Sequence, residues 1–101
     1  MLSHNVFFTL KDRTDDARTK LVAAAKTHLT GHPGVLFYAC GTLAQELDRP
    51  VNVRDFDVAL HVVFDTVASH DIYQDAPRHN QFVIENRDGW ETVRVFDSIV
   101  E

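Results

Sequence analysis

"FDVALHVVF", residues 56–64, is the stretch on which the fold turns. Phe56, Val58, Leu60, Val62 and Phe64 recur at a spacing of two, with Asp57, Ala59, His61 and Val63 between them. Successive side chains of a strand point to opposite faces, so this alternation predicts a strand with one apolar face against a core. Its other face is half apolar as well, through Ala59 and Val63.

Upstream, residues 3–11, "SHNVFFTLK", alternate in the same way. His4, Val6, Phe8 and Leu10 take one face; Asn5, Phe7, Thr9 and Lys11 take the other. "DRTDDA" supplies a turn, N-cap candidates and acidic residues where a helix dipole favours them. Ala17, Leu21, Ala24, Ala25 and His28 then share one stripe of a helix of about four turns, which "GHPG" ends. A second strand is predicted over 35–43, and "AQELDRPVNVRD" connects it to the third.

Downstream, Asp65 or Thr66 caps a second helix, with Ala68, Ser69, Ile72, Tyr73 and Ala76 inward and His70, Asp71, Gln74 and Asp75 outward. Pro77 disfavours helical geometry at Ala76 and suits the first turn of a new segment. That segment places His79, Phe82, Val83, Asn86 and Trp90 on one stripe, and "TVRVFDSIV" is the last strand. The order strand, helix, strand, strand, helix, strand is two split βαβ units: a ferredoxin-like α+β fold, with a four-stranded antiparallel sheet and its helices on one face. Phe7, Ala59, His61 and Val63 on the uncovered face predict a homodimer through the open sheet.

The 101 residues are read as one domain, 1–101, with no repeat or linker. A net charge of −5 disfavours nucleic acid and anionic membranes, since no basic cluster interrupts it. The single Cys40 excludes an internal disulfide, and neither a signal-peptide pattern nor a membrane-length apolar run occurs. A cytoplasmic location is therefore expected, with a small molecule and a second copy of the chain as partners.

Between the two segments of helix two lies "HDIYQDAPRH", residues 70–79. Imidazole near its neutral pKa can take and return a proton, and a phenol beside it can steady an oxyanion. Tyr73 and His79 are thus the candidate catalytic pair, with His4 on the first strand as a weaker third member. Asp97 is available to orient a histidine. Against this stands a structural reading in which Tyr73 packs on the sheet and His79 braces the turn. His28, His32, His61 and His70 are read as structural. No i, i+4 histidine pair or Cys/His spacing predicts a metal, and no motif selects a cofactor, so neither is expected.

"HNVFFTLKD", "VVFDT", "YQDAPRH" followed by "QF", and "VFDS" resemble the stress-responsive A/B barrel domain (Dabb) family over nearly the whole chain. The resemblance implies a ferredoxin-like fold that dimerises into an α+β barrel. Its Tyr-x-x-x-Pro-x-His spacing is similar to that of the plant olivetolic acid cyclase, in which such a tyrosine and histidine act on a linear polyketide between sheet and helices. Tyr73 and His79 match those positions, and His4 matches a pocket histidine. A third-strand histidine of the cyclase is replaced here by Val58.

The function expected is binding of a hydrophobic or aromatic carbonyl compound, with proton transfer by His79 and Tyr73. Val6, Phe8, Leu10, Val58, Leu60, Val62, Ile72, Phe82 and Trp90 would wall the pocket. The alternatives are a non-catalytic dimer with a filled core, and a monooxygenase-like member of the same barrel superfamily.

Overall fold

A computed structural model describes residues 1–101. Strand β1 (Leu2–Leu10) leads to helix α1 (Asp15–Leu29), then β2 (Val35–Thr42), β3 (Val58–Phe64), α2 (Val67–Asp75), α3 (Pro77–Asn86) and β4 (Trp90–Ile99). A short 3-10 turn, Arg87–Gly89, joins α3 to β4. The strands form one antiparallel sheet in the order β2-β3-β1-β4, with both central strands drawn from opposite halves of the chain. This is the ferredoxin-like arrangement that the alternation predicts. No helix is long and apolar enough to cross a membrane.

On β1 the alternation holds along the whole strand: Leu2, His4, Val6, Phe8 and Leu10 are buried under the helices, and the residues between them are half-buried. All of these buried residues but His4 join Leu21, Ala25, Leu29, Val58, Leu60, Val62, Phe64, Tyr73 and Phe82 in one core. Each large apolar side chain there contributes about 1.5–3 kcal/mol on burial. Thr14 caps α1 by accepting from the Ala17 N–H, and Thr66 caps α2 through the Ser69 N–H. Ala76 is extended, at φ −64° and ψ 141°, so the helix breaks there and Pro77 begins α3.

At the start of β3 the expected alternation fails. The strand begins at Val58, and Phe56 turns to the open sheet face, 5.0 Å from Phe7 between ring centroids. Asp57, expected on that open face, is only 1% exposed. Its carboxylate accepts from the Leu10 N–H at 2.8 Å, from Arg13 Nε at 3.1 Å and from Arg18 Nε at 2.9 Å. Burial alone would raise its pKa, but these donors outweigh it and hold the carboxyl below its ordinary value. A buried carboxylate with a backbone donor and two guanidinium partners dictates the chain path more strongly than the apolar period does.

Gly34, at φ 82°, marks a close approach: a Cβ there would lie 2.3 Å from Ser69 Oγ. The left-handed backbone and the lack of a side chain let the α1–β2 turn sit against α2.

Candidate functional site

The helices cover β3 and β1 but leave the helix-side residues of β4, Val93 and Val95, exposed. Between that uncovered strand and the α2–α3 corner lies a chamber of about 340 Å³. Its floor is His4, Val6 and Phe8 of β1 with Leu60 of β3. Its roof is His70, Tyr73 and Gln74 of α2 with His79, Phe82 and Val83 of α3, and Trp90, Val93, Val95 and Asp97 of β4 close the side.

The structure brings all three expected catalytic candidates, Tyr73, His79 and His4, to this chamber. Tyr73 is 1% exposed and stands at the centre of an aromatic cage. Its ring centroid is 4.8 Å from His79, 5.0 Å from His32, 5.0 Å from Phe64 and 6.2 Å from His4. Neither the Tyr73 hydroxyl nor His79 Nδ1 has a hydrogen-bond partner, although both are buried. Burial, reinforced by Tyr38 and Cys40, pushes the Tyr73 pKa up, so the phenol remains a donor. Burial, then the neighbouring His4, His32 and His70, lowers the His79 pKa against the opposing pull of Asp75. The imidazole is thereby kept neutral and able to accept a proton.

His4 Nδ1 donates to Asp97 Oδ1 at 2.5 Å across the β1–β4 ladder, where the two residues are register partners. Burial lowers the His4 pKa despite that carboxylate. α3 is anchored by Arg78, whose Nη1 donates to the carbonyl of Thr30, the C-cap of α1, at 2.8 Å and whose Nη2 donates to the Thr27 carbonyl of α1 at 2.6 Å. These bonds satisfy helix-end acceptors and set the position of His79 next door.

Of the expected walls, Val6, Phe8, Leu60, Phe82 and Trp90 line the chamber. Val58 and Val62 are fully buried in the core beneath it, and Leu10 borders a separate cleft of about 240 Å³ beside α1. Ile72 is corrected outright: it is 64% exposed on the outside of α2. His70 and Gln74 are corrected with it, since they face the chamber rather than bulk solvent. A helix only nine residues long can be rolled by its neighbours, and here the inward side faces a cavity in which polar groups keep access to water. Val93, Val95 and Asp97 were legible in principle, because pairing β4 with β1 aligns them with Phe8, Val6 and His4.

His32 donates from Nε2 to the His28 carbonyl at 2.7 Å, and His28 Nε2 to Glu85 at 3.2 Å. On the opposite sheet face, His61 Nδ1 donates to Asn5 Oδ1 at 2.7 Å. Cys40 is half-buried, and burial pushes its thiol up to about 11, away from nucleophilic use. Another cleft, of about 310 Å³ near Asp57, contains Arg13, Arg18 and Arg54. Asp57, Asp15, Asp48 and backbone carbonyls already engage these guanidinium groups. It lacks the unpartnered groups that distinguish the Tyr73 chamber.

The family description "Stress responsive A/B Barrel Domain" matches residues 2–100. Among solved structures, a Dabb protein with a ferredoxin-like fold from Mesorhizobium loti superposes with a TM-score of 0.81 at 22% identity, over 99% of this chain and 96% of that one. A dimeric ferredoxin-like protein of unknown function from Thermobifida fusca gives 0.79 at 19%, over 98% and 90%. The hydroxynitrile lyase of Passiflora edulis gives 0.76 at 20%, over 99% and 93%. At such identities the likeness is one of fold. No curated protein matches the sequence.

Proposed function

Since the chain belongs to the stress-responsive A/B barrel domain family, we propose that it binds a small hydrophobic or aromatic carbonyl compound in the Tyr73–His79 chamber and moves a proton on it. One observation carries this reading: a buried phenol and a buried imidazole nitrogen, both without partners, belong to neighbouring rings on one cavity. Buried polar groups are rarely left unpaired, and a ligand oxygen or proton would complete them. Neutral His79 would take the proton from a carbon beside the carbonyl. The Tyr73 O–H would donate to the enolate oxygen formed, and His79 would return the proton. His4, oriented by Asp97, would stand at the same wall as a further polar contact.

The test uses a panel of aromatic ketones and β-dicarbonyl compounds. At least one should raise the melting temperature, as binding to the native state requires, and should exchange its α-proton for deuterium in the protein's presence. His79→Ala and Tyr73→Phe should each slow that exchange by about 10²-fold or more. No stabilisation and no exchange across the panel, with His79→Ala costing roughly 1–3 kcal/mol of stability, would establish the structural reading instead.

The assembly proposed is a homodimer through the open sheet face. Phe37 and Phe96 are 55% and 56% exposed there, and Phe7, Val53, Phe56, Arg94 and Phe96 line a groove of about 390 Å³. An apolar aromatic face of this kind calls for cover, and a self-complementary two-fold contact supplies it. The dimeric Thermobifida fusca protein of the same fold supports this choice of partner.

A further inference from the structure

We infer that the rim of the chamber is a binding site for a divalent first-row transition metal, held by His4, His70 and Asp97. One ligand atom from each of the three residues lies within 4.8 Å of the others. The His4 and His70 ring centroids are 4.9 Å apart, and His4 Nδ1 is 2.5 Å from Asp97 Oδ1. A metal with bonds near 2.0–2.1 Å in tetrahedral geometry separates its ligand atoms by about 3.3 Å. The ligand atoms present lie within 4.8 Å of one another, and a bound ion would displace the proton that His4 shares with Asp97.

Two further features favour a metal over an accidental cluster. His70 Nδ1 donates to Asp71 Oδ1 at 3.1 Å, which fixes the tautomer and leaves Nε2 as a lone-pair donor. Metal-binding histidines characteristically carry such a carboxylate on their other nitrogen. The ligands also come from three different elements, β1, α2 and β4, of which two are adjacent strands that make His4 and Asp97 register partners. The donor set of two imidazoles and one carboxylate suits zinc and its neighbours rather than calcium or magnesium, which prefer all-oxygen sites. Three protein ligands would leave one or more coordination positions open, beside a chamber that His4, His70 and Asp97 all line. An oxygen of a bound small molecule, or water, would fill them.

Metal binding does not depend on the proton-transfer reading. Neither Tyr73 nor His79 is a ligand, so His79→Ala should retain the metal whatever becomes of its turnover. The test is titration of tag-free, metal-stripped protein with Zn²⁺ by calorimetry, and with Co²⁺ by visible absorption. One ion per chain should bind, and Co²⁺ should show the visible bands of a four- or five-coordinate site. His70→Ala and Asp97→Asn should each weaken binding by about 100-fold or more, and Asp71→Asn by about tenfold. Absence of saturable binding would overturn the inference. So would binding that His70→Ala and Asp97→Asn leave unchanged, since the ion would then sit elsewhere, for example at His28 and Glu85.

Discussion

At the scale of single residues, burial decides the chemistry on offer. His79 would be an ordinary titrating histidine in solvent; in the first turn of α3, burial and three neighbouring histidines lower its pKa. The consequence for stability has a definite sign. A histidine with a depressed native pKa binds its proton more readily in the unfolded chain, so its contribution is complete above pH 6.5. That contribution is lost as the pH falls from 6.5 toward the lowered native value, at no more than about 1.4 kcal/mol per pH unit for one group. The urea midpoint should therefore drop between pH 7.5 and pH 5.5 at fixed protein concentration. His79→Gln should shrink the drop without removing it, because burial lowers the His4 pKa too. A difference between the two pH values unchanged by His79→Gln would mean that His79 titrates normally in the fold. None of this is visible in "APRH" as a string, since the same letters serve equally for an exposed turn.

Elements fix where those residues point, and they differ in how openly they do so. β1 is long and paired on both sides, so its period of two survives intact into the structure. α2 is short, and its apolar count misleads: Ile72 lies outside while His70 and Gln74 lie inside. The break between α2 and α3 was legible because proline acts on its own neighbour's backbone. What holds α3 in place was not, because Arg78 reaches across about fifty residues of chain to the end of α1. Arg78→Ala should lower stability by about 1–2 kcal/mol, toward the low end for bonds to a charged group because both are exposed, and should speed amide exchange in α3 selectively. Arg78→Lys should recover little, since one ammonium cannot reproduce the guanidinium's planar reach to two carbonyls. Full rescue by lysine would show that only the charge matters there.

For the molecule as a whole, the sheet has one face committed to helices and another that carries Phe7, Phe37, Phe56 and Phe96. A dimer through that face should be present at micromolar concentration and bury at least roughly 1,000 Å² in total. Phe96→Asp should shift the light-scattering mass toward one chain, because an unpaired carboxylate cannot be desolvated cheaply in an aromatic interface. Ile72→Lys, at an equally exposed apolar position on the helix side, should leave the mass unchanged. The reverse result would move the interface to the helices. The face of Phe37 follows from an irregularity in β2–β3 pairing between Val35 and Phe37, which no period in the sequence announces.

What the sequence determined by itself was whatever depends on neighbours along the chain. The strand periods of 3–11 and, from Val58 onward, of 56–64, the N-cap candidates in "DRTDDA" and at Asp65–Thr66, and the stop at Ala76–Pro77 are local preferences. Together with the order of elements they suffice for the ferredoxin-like sheet. They also suffice to suggest Tyr73 and His79, which share one short motif. The tertiary structure alone decided the rest: the roll of α2 that turns His70 inward, the burial of Asp57 against Arg13 and Arg18, and the meeting of His4 with Asp97, 93 residues apart. Those outcomes balance charge, cavity and packing between distant segments. Such a balance is struck only once the sheet has closed, and it leaves no periodic trace in the chain.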